Sequence, residues 1–197
     1  MSDGGAVRLS PARVLALFVF GAVVISIFDG FHTHSGTTRY PDPVAFEAAW
    51  WTPLIFGAST GLGGPAFAFL YRALGGKRPP PSGPQLAVAF AIFGALYAFS
   101  GFYHGANLTK LLVLGAAAVA LYLWLDRTLA GALATLATAL AGPLVEIVLV
   151  HAGAFQHLQP DVLGTIPCWL PALYACSAPA VGHGTRWWLA RDASSAR

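Results

Sequence analysis

Six apolar segments separated by short polar stretches make up most of the chain. The clearest is an unbroken apolar run from 111 to 125, which a small polar corner precedes and Asp126-Arg127-Thr128 ends. Such a run, closed by polar residues on both sides, is typical of a helix that crosses a bilayer. The pattern predicts an all-α polytopic membrane protein in which residues 1–197 form one six-helix domain. The predicted spans are 12–29, 50–71, 86–103, 108–125, 129–151 and 167–189.

Several segment ends carry recognisable signals. Ser10-Pro11 suits the start of a helix, and Asp29-Gly30 is predicted to close the first span. The paired indoles of Trp50 and Trp51 are typical of the headgroup region. Three successive prolines, 79 to 81, cannot continue a helix and predict a loop. Asp126 is expected to cap the fifth helix, because a carboxylate can accept from its first free N–H groups.

Composition supports membrane insertion and excludes other classes. The chain is 56% hydrophobic and only 10% charged, which is too few charges to cover a soluble globule of 197 residues. Its formal charge of +3 is not gathered into a basic cluster interleaved with aromatic residues, so the sequence gives no sign of nucleic-acid binding.

The positive charges predict the orientation of the chain. Arg39 and Lys110 fall on one predicted side and the other nine on the opposite side, so both termini are expected to be cytoplasmic. Those nine are Arg8, Arg13, Arg72, Lys77, Arg78, Arg127, Arg186, Arg191 and Arg197.

Small residues and prolines inside the spans bear on how the helices meet. Small residues recur at helical spacing on the second and third spans, which favours close packing of backbones but also permits a ligand groove. The second span carries Gly57, Gly61, Gly64 and Ala68, and the third Gly94, Ala98, Gly101 and Gly105. Prolines 65, 143, 171 and 179 are expected to bend their helices and leave room for a lipid-accessible cavity.

Glu146 is the one acidic residue well inside a predicted span. A carboxylate costs at least ~2.5 kcal/mol at the centre of a membrane helix, so it should face a partner or a cavity. Thr135, Thr138 and Gly142 share its helix face. Glu146 either meets the hydroxyl of a buried ligand or bonds another helix, and the sequence leaves both possibilities open.

Histidines concentrate on the predicted exoplasmic side, where they favour interfacial imidazoles over a metal site. They are His32, His34, His104, His151 and His157. Cys168 and Cys176 are expected in one helix and too far apart to form a disulfide. No familiar catalytic signature occurs, so we expect no enzymatic activity and no cofactor.

A set of motifs resembles the insulin-induced-gene (Insig) family over nearly the whole chain. Their order and approximate spacing also match the family. The motifs are Tyr40-Pro41-Asp42, Ala49-Trp50-Trp51-Thr52-Pro53 with Gly57, Leu125-Asp126-Arg127-Thr128-Leu129-Ala130-Gly131, Val150-His151-Ala152-Gly153-Ala154-Phe155-Gln156-His157, Pro160-Asp161 and Trp169-Leu170-Pro171.

The resemblance implies a non-catalytic six-span protein that binds a sterol or another lipid and regulates sterol-sensing membrane partners. It assigns partner binding to Asp126 and places Ile92 and Thr109 near the lipid. Thr109 stands where the family has glutamine, and His151 and His157 stand where it has tyrosines. Glu146 occupies a position that is not acidic in the family.

The composition is typical of a bacterial homologue in the cytoplasmic membrane, or in the endoplasmic reticulum membrane if the host is eukaryotic. A bacterial host favours a diacylglycerol-like lipid over a sterol, and sterol-sensing partners are expected only in a host that has them. The residues expected to bind the lipid are Glu146, Asn107, Thr109, Ile92, Tyr97, Phe99 and Trp51. The alternatives are an enzyme or transporter with an exoplasmic histidine metal site, and an interaction module acting through Asp126. A homo-oligomer is left open.

Overall fold

The computed structural model describes residues 10–195 apart from 46, 76–78 and 80, and it describes no side chains from 189 onward. Four of the positive residues used to predict orientation, Arg8, Lys77, Arg78 and Arg197, lie outside the described residues, as does the side chain of Arg191.

Helices account for most of the described chain. Helix α1 runs through Pro11–Phe20, a π-helical stretch at Gly21–Ile25, and Ser26–His34. The helices that follow are α2 (Thr52–Ala73), α3 (Gly83–Phe102), α4 (Asn107–Leu125), α5 (Leu129–His151) and α6 (Leu170–Ser195). Strands β1 (Thr38–Arg39) and β2 (Gln156–His157) pair antiparallel. Of the described helices, the five from α1 to α5 are long and apolar enough to cross a membrane.

The first helix continues beyond its predicted end. The sequence predicts that Asp29-Gly30 closes the span, but α1 extends to His34 and Asp29 is buried. The hydroxyl of Tyr40 donates to the Asp29 carboxylate at 3.1 Å. Because Tyr40 satisfies the buried side chain of Asp29, Asp29 does not need a water-exposed position at the end of a helix. The prediction that the first span ends at Asp29 is therefore wrong.

Helix α6 lies at the centre of the bundle, where it packs against α2, α3, α4 and α5. Its polar side chains His183, Thr185 and Arg186 are all buried. The helix with these polar groups is therefore enclosed by other helices, which shield it from lipid. It begins at Leu170, so Cys168 precedes it and the two free cysteines do not share a helix as predicted.

The stripes of small residues hold helices close together. A Cβ atom added at Gly57 would lie 2.8 Å from the ring of Phe18, and one at Gly94 would lie 2.9 Å from the ring of Phe28. These glycines therefore set the packing of α2 and α3 against α1, which confirms close packing at both positions.

Two left-handed glycines bring the polar loops together over one end of the bundle. Gly36 (φ 71°) follows α1 and Gly153 (φ 72°) follows α5, in a backbone region that glycine adopts without strain. Each turn leads into one strand of the β1–β2 pair, in which Thr38 lies opposite His157. We call the end with this strand pair the outer end and the end with Asp126 the inner end.

Replacing Thr60 should weaken the packing of α2 on α1. The Thr60 hydroxyl donates to the Leu17 carbonyl at 2.8 Å, one turn before the π-helical stretch, and lies farther, at 3.1 Å, from the carbonyls of Phe56 and Gly57 in its own helix. Interhelical hydrogen bonds in membranes are worth about 0.6–1.7 kcal/mol, so Thr60→Val should lower the free energy of unfolding by that amount. Denaturation in detergent micelles measures the loss. Ser59→Ala is the control, because that hydroxyl bonds its own helix, and an equal loss in both variants would contradict the assignment.

Candidate functional site: an intramembrane cavity with a polar end

A cavity of about 450 Å³ lies among α1, α2, α3, α5 and α6. This volume falls within the range of small-molecule sites in proteins. Its walls are mostly apolar. They comprise Ile25, Ile55, Phe56, Ser59, Thr60, Gly63, Ala66, Phe67, Leu70, Phe93, Tyr97, Ala134, Ala137, Thr138, Ala141, Gly142, Val145, Leu173, Tyr174, Ser177, Ala178, Val181 and Gly182.

Small exposed residues border the cavity on two helices. Gly63 and Ala66 on α2, and Ala137 and Ala141 on α5, line the cavity and are also exposed at the surface of the bundle. Their short side chains leave the space between α2 and α5 open. The cavity therefore faces sideways, in the direction from which a membrane lipid would enter.

A polar space of about 40 Å³ adjoins the cavity toward the outer end. The two spaces share Ile55, Phe56, Tyr97, Val145 and Tyr174, so they are parts of one amphipathic site. The polar part adds two carboxylates, Asp29 and Glu146, and side chains from the outer loops.

Glu146 connects three parts of the structure. Its Oε1 accepts from the hydroxyl of Tyr174 on α6 at 2.6 Å, and its Oε2 lies 2.7 Å from Nε2 of His157 on β2. Glu146 thus bonds another helix, which is one of the two roles left open by the sequence, and it also lines the polar space, where contact with a ligand stays a prediction.

The second carboxylate, Asp29, is held by Tyr40 from the first outer loop. Burial, and then the charge of Asp29, raise the pKa of Tyr40, so its hydroxyl stays protonated and donates.

The hydroxyl of Thr38 also lines this space and is buried without a hydrogen-bond partner. A buried polar group without a partner is costly, so Thr38 is a candidate contact for a ligand.

The arrangement suits a guest with an apolar body and a hydroxyl-bearing head. Two acidic side chains at the polar end supply hydrogen-bond acceptors and offer no positive charge to a phosphate group. Among the described residues, no three His, Cys, Asp or Glu side chains come together in a way that could hold a metal ion.

Three of the residues predicted to bind lipid line this site. Glu146 and Trp51 line the polar space, and Tyr97 lines both parts. The indole of Trp51 packs edge-on against Tyr40 with ring centroids 5.6 Å apart.

The other four predicted residues do not line the cavity. Ile92 is exposed at 37%, and Phe99 stacks on Tyr103. Thr109 is half-buried in the first turn of α4. Asn107 donates to Asp161 at 2.9 Å and accepts from the indole of Trp169 at 3.0 Å. Its side chain therefore holds the start of α4 against the second outer loop, which is the segment 152–169 between α5 and α6.

Sequence reasoning missed Tyr174 and Thr38 as site residues. Tyr174 looks like any aromatic residue of an apolar helix, and Thr38 lies in a polar loop with no motif of its own. Tyr40 belongs to one of the motifs that resemble the Insig family, and this resemblance is the sequence signal by which Tyr40 could have been found.

The predicted exoplasmic histidines come together at most in pairs: His32 and His157 line the polar space, and His104 and His157 line a smaller polar cavity. His32 is buried and its Nε2 lies 2.7 Å from Oγ of Ser100, while His34 is exposed and packs on Phe102. His151 is exposed and bonds the carbonyl of Ile147 within its own helix. These positions give no support to the alternative of a histidine metal site.

Asp126 does not cap the fifth helix as predicted. That cap is Thr128, whose hydroxyl accepts from the N–H of Gly131 at 3.0 Å. Asp126 is 1% exposed, accepts from Thr128, and lies 3.4 Å from Nε2 of His183 on α6. Burial by itself would raise the pKa of Asp126, but the bonds from His183 and Thr128 and the charge of Arg186 lower it.

Known proteins of similar sequence share this architecture. No family model matches the chain. The insulin-induced gene 1 protein of Danio rerio is 29% identical over 178 residues, covering 87% of this chain and 70% of its own length. The INSIG protein homolog of Mycolicibacterium vanbaalenii is 29% identical over 174 residues, covering 85% and 83%.

The solved structures agree with the sequences. MvINS, a mycobacterial Insig homolog from Mycobacterium vanbaalenii, superposes with a TM-score of 0.80 at 27% identity, covering 91% of this chain and 95% of that one. A cross-linked MvINS trimer gives a TM-score of 0.82 at 28% identity, covering 93% and 97%. This chain is an Insig homologue.

Membership of this group bears on the class of function. The apolar helices together with the Insig likeness identify this Insig homologue as an integral, multi-pass membrane protein. The likeness to Insig proteins supports a non-catalytic membrane regulator.

Stability should depend on the charge of Asp126. Because its folded pKa lies below the usual 3.8, ionised Asp126 stabilises the fold above about pH 3.8, and this contribution is lost as the pH falls through the folded pKa. Asp126→Asn should therefore lower the free energy of unfolding by about 1.5–3 kcal/mol at pH 7, with wild type and variant converging in acid. Denaturation at several pH values measures this. Asp42→Asn, at an exposed position, is the control, and a gap between wild type and Asp126→Asn that persists in acid would contradict the prediction.

Proposed function

We propose that this Insig homologue holds a neutral two-chain lipid, diacylglycerol-like in its chemistry, in the cavity between α2 and α5. The observation that supports this most directly is the 450 Å³ apolar space with two carboxylates at one end. The lipid head lies at the polar end, against Glu146 and Thr38, and the acyl chains fill the apolar part.

The chemistry of the polar end favours a hydroxyl head over a phosphate head. A glyceride hydroxyl donates to a carboxylate oxygen and accepts from the Thr38 hydroxyl, whereas a phosphodiester would bring a further negative charge beside Asp29 and Glu146. A sterol also carries one hydroxyl and is the second candidate. The open side between α2 and α5 favours two flexible chains, because their ends can continue into the bilayer.

We propose that this regulator crosses the membrane six times and has both termini in the cytoplasm. Helix α6 is the sixth span, and its burial at the centre of the bundle accounts for its polar side chains. The outer end with the strand pair then faces away from the cytoplasm. The bacterial cytoplasmic membrane is the proposed location.

The solved MvINS trimer and the position of Asp126 bear on the partners of this chain. The cross-linked MvINS trimer supports a homo-oligomer for this chain as well. Sterol-sensing membrane proteins are partners only in a host that contains them. Because Asp126 is buried against His183, we propose that its replacement affects a partner through the position of α6 and not through lost surface contact.

A bulky side chain at Gly63 should displace the lipid. Gly63 lines the cavity, and a Cβ atom placed there meets nothing within 4 Å, so a side chain can start from this position and Gly63→Phe adds volume beside the empty space. We expect the amount of neutral lipid that co-purifies per protein to fall several-fold, measured by extraction and mass spectrometry. Gly115→Phe is the matched control, since Gly115 also has open space around it and does not line the cavity.

The lipid proposal fails if wild type carries no more diacylglycerol or sterol than an unrelated membrane protein purified in the same way. It also fails if both phenylalanine variants retain the wild-type amount. Recovery of sterol in place of diacylglycerol would support the cavity as a lipid site but would contradict the proposed class of lipid.

Headgroup selectivity tests the polar end separately. Diacylglycerol supplied in mixed micelles should be retained after washing, whereas phosphatidic acid with the same acyl chains should not, because its phosphate would face two carboxylates. Bound lipid is quantified with isotope-labelled chains. Equal retention of the two lipids would contradict the assigned orientation of the head.

A further inference from the structure

Lys110 is a buried cation for which the described part of the chain offers no acidic partner. It is 3% exposed, in the first turn of α4 at the outer end, although the sequence places it in a polar corner. Its Nζ donates to the Ser100 carbonyl at 2.7 Å and lies 5.1 Å from the centre of the Trp169 ring. No carboxylate of the described residues lies within ion-pair distance of it; nearby Asp161 bonds Asn107 and the N–H of Cys168.

Such a charge is expensive unless something compensates it. A neutral carbonyl satisfies one of the three N–H groups of an ammonium but does not balance its charge. Buried cations are usually paired with an anion, and the described residues do not supply one here. A bound anion would supply the missing countercharge.

A second buried nitrogen next to the same space also lacks a partner. Lys110 and His157 both line a small polar cavity of about 20 Å³, and His157 stands between it and the polar space of the lipid site. The Nδ1 of His157 is buried without a hydrogen bond, while its Nε2 is held 2.7 Å from Glu146. A volume of this size has room for one water-sized species.

We propose that this cavity is a binding site for a small monovalent anion of the halide class, such as chloride. The anion pairs with the Lys110 ammonium and accepts a hydrogen bond from Nδ1 of His157, whose protonated form is balanced by Glu146 on the opposite side of the ring. The chain then contains two neutral pairs, Lys110 with the anion and His157 with Glu146. This site does not depend on the identity of the lipid.

Halide-dependent stability of the full-length protein in detergent tests the site. Thermal unfolding is followed in sodium chloride, sodium bromide and sodium gluconate at the same ionic strength and pH. Chloride and bromide should raise the midpoint by about 3–6 °C over gluconate when the halide is about tenfold above its dissociation constant. Equal midpoints in all three salts would overturn the proposal and leave water as the occupant.

Two variants separate the site from general salt effects. Lys110→Gln removes the buried charge and should abolish the difference between halide and gluconate. Arg39→Gln removes an exposed charge from strand β1 at the same end of the molecule and should keep the difference. A halide effect of wild-type size in Lys110→Gln would overturn the proposal.

If Lys110→Gln does not fold, the wild-type protein still gives an answer. Crystals soaked in sodium bromide should show an anomalous scattering peak in contact with Lys110 Nζ and His157 Nδ1. A well-resolved site without that peak would overturn the proposal.

Discussion

The pair of hydrogen bonds on Glu146 is the interaction on which the site depends. One comes from Tyr174 on the central helix and the other from His157 on the outer strand pair. Glu146 itself belongs to α5, so a single carboxylate fixes the distance between α5 and α6 and holds the outer loops over the cavity. A carboxylate at membrane depth is costly unless it is satisfied in this way, and these two bonds allow an acidic group to remain beside an otherwise apolar space.

The same principle explains the arrangement of the other polar groups. Asp29 is held by Tyr40, Lys110 by the Ser100 carbonyl, and Asp126 by Thr128 and His183. Each lies where protein and not lipid surrounds it. The most polar helix, α6, occupies the centre for this reason, while glycines on α2 and α3 bring the more apolar helix α1 close. The helices meet tightly along these glycines, and the gap between α2 and α5 remains open.

Much of the fold could be predicted from the sequence because long apolar runs report directly on membrane helices. Glu146 could be identified because a carboxylate inside such a run is exceptional. Asp29 and Lys110 were misjudged for the opposite reason: a charge close to the end of an apolar run looks like a loop residue, and only the tertiary partners show that it is buried. Asn107 was expected to meet a ligand. Its side chain instead makes three hydrogen bonds to the segment between α5 and α6, a long-range contact that the local sequence does not reveal. Tyr174 carried no signal, because an aromatic residue in an apolar helix is ordinary.

The function proposed above is that of a regulator whose interior is completed by a lipid, with the head of that lipid at the carboxylates and its chains between α2 and α5. The most direct measurement is an experimental density map of the protein purified in mild detergent. The account predicts elongated, non-protein density that begins beside Glu146 and Thr38 and extends through the apolar cavity toward the opening. A map in which side chains from α2 and α5 close that space, leaving no such density, would contradict it.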